Sequence, residues 1–504
     1  MAVHTIDNDI HAVAVKDAEN FEIPNNLAIP LTEKNMYSYH HEENKENTVL
    51  PQASLGILRY KGKEKVNEMN LVMPSHITGS PVLSTTTIMK IAKEQLLHYT
   101  SQNYDAYSII FSPLIADLGP SPQVTEKAEF TLLLLVSAEM LTNQQFGRAK
   151  KLLNLCINFS FPTSNPVQRV VYYFAEPLRK RINKGTEIPI LRANVDALNP
   201  DGMEEVLMDP RIDVIETEQM LPFRKVTQFT GIQTILDCIK LLKRIHLIDL
   251  GIKTGSQWTI LMQALVGNGE CLLELLKITA VGTSLIRMQE IGKRLTSFAD
   301  TLDLPFSFKT VVSDLQNIKK DLFESKVGEV VAIYADSRLW TLLAWPNHFR
   351  SLIQVIKSLD PCVMVVTEIE ANTNTPIFID RFNEALFYYS AIFDSLETCI
   401  GWNHQHRAVA QGVYIGKIIE NIFTSEGEVM VHRHEKLESW TALFERFGIA
   451  ETELSHSSLY QAKLLADKST CHGFCSLEMD GKSLIIKWKG TPIKSLSAWR
   501  FPHV

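Results

Sequence analysis

The residues best placed to do chemistry lie between His246 and Gly255. There an apolar run closes on Asp249, Gly251 and Gly255, just before a helical stretch that starts near Ser256. Glycines at such a turn let the backbone approach a ligand closely, and the N-terminus of the following helix faces it. Two features oppose a nucleotide-type cofactor. Lys253 stands between the glycines, where a side chain crowds a ligand. The next apolar run, Ile278-Thr279-Ala280-Val281-Gly282, offers a hydroxyl where a carboxylate would hold ribose oxygens. Asp249 is instead expected to tie the strand-to-helix turn. Glu368 and Glu370 share one face at the end of another apolar run, but no His or Cys stands nearby at metal spacing, so capping or ion pairing is expected of them. His432 and His434, two apart, would point to different sides of a helix. Cys471 and Cys475 lack a second pair, and Cys156 lies on an apolar helix face. Short basic patches such as Arg179-Lys180-Arg181 read as solvated helix ends, and that one is the candidate for DNA contact. No catalytic residue, metal site or cofactor is expected.

The elements that must position these residues fall into three zones. Residues 1–84 are rich in Asn, poor in aromatics and carry polar runs such as His40 to Asn47, which predicts a disordered leader. Residues 85–125 predict a short helix, with Ile88, Ile91, Ala92, Leu96 and Tyr99 at helical spacing, and a Pro-rich linker. From Glu126 the chain is dense. Helices are predicted over 126–145, 146–159 and 165–183, with Pro166 at a helix start, and they form a leucine-rich cap over 126–190. A partner-binding surface at Leu132, Leu133, Leu134 and Leu135 is one expectation for that cap. Over 191–504, short apolar runs (244–251, 275–282, 329–335, 362–367) alternate with helical stretches, the signature of βαβ units around a parallel sheet. A hairpin is predicted around Asp480-Gly481.

Composition bounds the function. Of 504 residues, 45% are hydrophobic, which excludes wholesale disorder. The formal charge is −7, from 50 Lys and Arg against 57 Asp and Glu, which argues against a globally basic nucleic-acid coat. Seven scattered Cys suggest no disulfide framework. The N-terminus has neither a basic region nor a continuous apolar segment of the secretory type, and no run of 18 apolar residues suggests a membrane span. A soluble nuclear or cytosolic chain is expected.

Taken in order, the motifs resemble the GRAS family of plant transcriptional regulators. Thr131 to Glu139 and Pro166-Val167-Gln168-Arg169-Val170-Val171-Tyr172-Tyr173-Phe174-Ala175-Glu176 resemble its first leucine-rich segment. Ile245-His246-Leu247-Ile248-Asp249 is similar to its VHIID element, and Gln257 to Leu265 continues that pattern. Phe378-Ile379-Asp380-Arg381-Phe382 with Glu384 to Glu397 resembles the PFYRE region, followed by Arg433-His434-Glu435 and Trp440. Trp488-Lys489-Gly490-Thr491-Pro492 and Ser497-Ala498-Trp499 resemble the terminal SAW motif. The resemblance covers roughly residues 126–501. It implies an α/β fold: a methyltransferase-like (Rossmann-type), mostly parallel sheet core with an N-terminal helical cap. It further implies a nuclear, sometimes cytoplasmic, non-catalytic role through DNA-binding transcription factors such as zinc-finger proteins and other GRAS proteins, as homo- or heterodimers, without a membrane. His246, Ile248, Asp249, Arg381, Arg433, Glu435, Trp488 and Trp499 are the motif residues it singles out. The sequence departs from the family at Leu250-Gly251, which replace a usual Phe-Asp pair, and at His432, where Glu is common. Residues 1–84 carry no DELLA or TVHYNP stretch, so receptor-triggered degradation by gibberellin is not implied. The Asp249–Gly255 turn also resembles the first motif of class I methyltransferases, which as the alternative would make Asp249, Gly251 and Gly255 residues for S-adenosylmethionine.

Overall fold

In a computed structural model of the chain, residues 83–102, 104–110, 121–186, 212–267, 273–401, 403–427, 430–469, 471 and 473–501 are described. All but residues 83 and 84 of the leader expected over 1–84, and most of the following linker, lie outside them. The strands β1 (Arg244–Asp249), β2 (Leu275–Gly282), β3 (Phe306–Val312), β4 (Val330–Asp336) and β5 (Val363–Ile369) are mutually parallel. All but β3 are buried along nearly their whole length, as strands covered by helices on both faces must be. The chain then adds β6 (Ala450–Thr452), β7 (Cys475–Asp480), β8 (Ser483–Trp488) and β9 (Thr491–Arg500). The sheet order is β3-β2-β1-β4-β5-β9-β8-β7, with β6 on the far part of β9. β9 runs antiparallel to both β5 and β8. The β7–β8 hairpin turns at Gly481, whose φ of +59° glycine adopts at little cost.

Helices alternate with these strands. The cap holds α1 (Thr85–Ser101), α2 (Pro122–Thr142), α3 (Phe146–Phe159) and α4 (Pro166–Thr186). Then follow α5 (Ile212–Met220), α6 (Pro222–Ile239), α7 (Ser256–Val266), α8 (Leu285–Asp300), α9 (Pro346–Ser358) and α10 (Phe378–Ile400). α11 (His404–Val409), a π-helical turn (Ala410–Ile415) and α12 (Gly416–Thr424) run on without a break, and α13 (Leu437–Arg446) and α14 (His456–Lys468) complete the set.

The alternation of side chains along the strands divides the core in two. Ile245, Leu247, Ile278 and Val365 face α6, α7 and the cap. Ile248, Val281, Ile333 and Val366 face α9, α13 and Trp499. α1, capped by Ser84, buries Ile88, Met89, Ala92 and Leu96 in the first of these cores. Its start is held by Asp394 on α10, which accepts the Thr85 N–H at 3.2 Å. The same carboxylate accepts the Trp488 indole N–H at 2.7 Å and pairs with Lys489. Among the described residues no helix is long and apolar enough to cross a membrane.

Candidate functional site

β1 ends at Asp249, and the turn after it is tied inward. Asp249 Oδ1 accepts the Gly251 N–H at 3.0 Å; Oδ2 accepts the Trp258 indole N–H at 3.0 Å and the Gln257 amide at 3.2 Å. Burial pushes this carboxyl up to about 7, although the Gly251 and Trp258 hydrogen bonds pull it down. The close approaches that the two glycines permit are made by the chain itself. A Cβ on Gly251 would meet Arg338 Cγ and Cδ at 2.9 Å. One on Gly255, where φ is +72°, would meet Ile291 Cγ2 at 2.6 Å. Lys253 pairs with Glu218 on α5 at 3.5 Å, and Val281-Gly282-Thr283-Ser284 brings no carboxylate to the end of β2. These residues do not fit S-adenosylmethionine: Asp249 is spent within the turn and Arg338 covers the glycine.

A cavity of about 150 Å³ opens at the carboxyl ends of β1, β2, β4 and β5, beneath α5, α10 and the π-helical turn. This is where ligands sit in open parallel sheets. Its charges come from distant parts of the chain. Arg224 at the start of α6 pairs with Asp336 at the end of β4. Lys494 on β9 donates to Ser337 Oγ at 2.8 Å and lies 3.6 Å from Asp336, which also accepts the Thr367 hydroxyl at 2.6 Å. Burial would raise the Asp336 carboxyl, but Arg224 and Lys494 outweigh it and hold it well below the usual range. Burial brings Lys494 down to about 8 against the pull of Asp336. Behind them, Glu368 Oε1 accepts the N–H groups of Arg338 (3.1 Å) and Leu339 (2.8 Å), and burial raises its carboxyl to about 8. Glu370 accepts the first N–H of α13, so both carboxylates cap helical turns.

His432 and His434 belong to an extended segment, not a helix, so a spacing of two brings them to the same side. The His432 ring stacks on Trp340 at 4.4 Å between centroids, and His434 lies 5.2 Å from the same indole. Burial lowers the His434 imidazole to about 3 and holds His432 well below its ordinary value, so both rings are neutral. Among the described residues no group of three His, Cys, Asp or Glu could hold a metal ion.

Residues 130–500 match the model of the GRAS domain family. The chain belongs to the GRAS family. Its relatives include DELLA protein RGL1 of Arabidopsis thaliana, 32% identical over 378 residues, which are 74% of this chain and 70% of that protein. DELLA protein RGL3 of the same plant is 30% identical over 73% of this chain and 68% of its own length. A crystal structure of SCL7 in Oryza sativa superposes with a TM-score of 0.64 at 25% identity, over 74% of this chain and 99% of that one. The family is one of plant transcriptional regulators, and the Rossmann-like, mostly parallel sheet with its helical N-terminal region is the GRAS architecture.

The GRAS motif residues lie mostly inside. His246 Nε2 bonds Thr279 Oγ1 at 2.8 Å on the neighbouring strand, and Ile248 is core. Arg381 donates to the Thr375 carbonyl at 2.8 Å and to Glu426 at 3.1 Å. Asn374 joins Arg433 (3.0 Å) to Glu435 (2.6 Å) and so clamps the loop after β5 to the His432 segment. Trp488 is held by Asp394, and Trp499 packs on Phe444 at 4.6 Å. Two of the candidate groups lie as follows. Leu132, Leu134 and Leu135 are buried and Leu133 is half-buried, because α1, α3 and α4 cover α2; they offer no open face. Arg179 pairs with Glu176 (2.9 Å), Lys180 shares Glu420 (2.7 Å) with Lys417, and Arg181 shares Glu426 (2.8 Å) with Arg381. The cavity residues Arg224, Asp336, Trp340, Tyr388, Tyr414 and Lys494 escape sequence reasoning. The signal available was a lone charge inside an apolar run.

Proposed function

We propose that this chain is a non-catalytic transcriptional regulator of the plant nucleus, also found in the cytoplasm. It would act by binding DNA-binding factors, such as zinc-finger proteins, and other GRAS proteins. The observation that carries this reading is where apolar surface remains in water. On α3, Leu155 and Phe159 lie one turn apart, and Phe159 and the following Phe161 are 56% and 55% exposed. Phe130 on α2 packs beside Phe159 at 6.4 Å and extends the patch. Aromatic residues grouped in this way suit the centre of a protein interface. The polar motif residues, by contrast, brace one another inside the fold. The reading needs no DNA contact by the chain itself, which agrees with its charge of −7.

The test is partner capture from plant nuclear extract, read by mass spectrometry, comparing the chain with a Phe159→Glu, Phe161→Glu variant. Unfolding curves serve as the control for folding. The expected result is an unchanged unfolding midpoint with loss of DNA-binding partners. A folded variant that captures the same partners would reject α3 as the interface.

A further inference from the structure

Around the cavity at the strand ends, several buried polar groups have no hydrogen-bond partner among the described residues. His432 and His434 are 1% and 2% exposed, and neither nitrogen of either ring meets a hydrogen-bonding atom of the described residues. Nε of buried Arg224 is in the same position. A neutral imidazole presents one donor and one acceptor, and leaving such groups unpaired in a buried site is costly. Native proteins seldom tolerate several of them around one space unless something satisfies them.

Two further features define what fits. In the lining, Arg224 and Lys494 share the single carboxylate of Asp336, and Lys253 pairs with Glu218. This excess of positive charge favours an anion and disfavours a sulfonium cation. The opposite wall is apolar and aromatic, with Tyr388 and Ile392 from α10, Tyr414 and Ile415 from the π-helical turn, and Met288 from α8. A space of about 150 Å³ accommodates a body roughly the size of benzene. π-Helical turns inside α-helices recur at functional sites, and this one forms part of the wall.

We propose that the cavity binds a small carboxylate built on a single aromatic or alicyclic ring. The carboxylate lies toward Arg224 and Lys494, the ring packs against Tyr388, Tyr414 and Ile415, and His432 and His434 bond its polar substituents. Such a ligand bridges the sheet to α10 and the π-helical turn, so its binding ties the cap-side helices to the core.

The test uses the purified full chain, titrated calorimetrically with 4-hydroxybenzoate, 4-hydroxyphenylacetate and 4-hydroxycyclohexanecarboxylate, with 4-hydroxyphenylacetamide and S-adenosylmethionine as contrasts. Saturable one-to-one binding is expected for at least one carboxylate, with 4-hydroxyphenylacetamide weaker by about tenfold or more, a difference of about 1.4 kcal/mol. Ile415→Trp and Ala410→Leu each fill the space and should abolish binding. Their unfolding midpoints show which of them keeps the fold, and either folded variant suffices. Absence of binding by all three carboxylates, equal binding of the amide, preference for S-adenosylmethionine, or undiminished binding in a folded filled variant would each overturn the proposal.

Discussion

Glu368 is a carboxyl that the fold keeps protonated where water would ionise it. Burial raises it to about 8, so the folded chain holds a proton that the unfolded chain has released. Its stabilising contribution is therefore complete at acid pH and is lost as pH rises toward about 8. Asp249 and Glu370, both raised to about 7 by burial, act in the same sense over a shorter span. His246 and His434 act oppositely. Burial lowers them to about 4 and about 3, and the stability they withhold in acid is regained by their ordinary value near 6.5. Lys494, lowered to about 8, enters only above that pH. The unfolding free energy is thus expected to fall between pH 6.5 and 8, by about 1.4 kcal/mol per pH unit for each retained proton. Glu368→Gln keeps an oxygen for the Arg338 and Leu339 N–H groups and should flatten the fall between pH 7 and 8. Urea midpoints measured across that range check this, and an unchanged slope refutes it. Asp249→Ala strands the Gly251, Gln257 and Trp258 donors and should lower stability by about 3 kcal/mol, read as a reduced urea midpoint.

The leucine-rich helix α2 behaves as a core element. Leu134→Asp places a charge among α1, α3 and α4 and should abolish the cooperative unfolding transition, whereas Phe159→Glu on α3 should leave it in place. Circular dichroism melts of both variants decide the matter. Trp499→Ala removes the indole packed on Phe444 and should cost about 3–5 kcal/mol. β1, β2, β4, β5 and the β7–β8 hairpin are legible in the sequence, because strands buried on both faces leave apolar runs and the hairpin marks its turn with Asp480-Gly481. β3 and β9 are not. β3 lies at the sheet edge with Ser307 and Lys309 interrupting its run, and β9 carries Lys494, Ser495 and Ser497 into the interior, where local polarity reads as loop. The same cause hides the cavity. Arg224, Asp336 and Lys494 are far apart in the chain and meet only through the sheet order. Helical spacing sends His432 and His434 to different sides, whereas their non-helical segment brings both rings to Trp340.

At the scale of the whole molecule, charge and connectivity matter most. Gln substitution of Arg179, Lys180 and Arg181 together is expected to leave duplex DNA affinity unchanged, as measured by fluorescence anisotropy at several salt concentrations. A loss of affinity with a reduced salt slope would restore the patch as a DNA contact. The strand order has a genetic consequence. β9, formed by nearly the last residues described, lies between β5 and β8, so a stop codon anywhere before Thr491 removes an interior strand, not a frayed end. The β7–β8 hairpin would then have nothing to pair with, and β5 would present Met364, Val365 and Val366 as an open, sticky edge. Late nonsense alleles should therefore behave as nulls cleared by protein quality control, not as truncated proteins that keep partial activity.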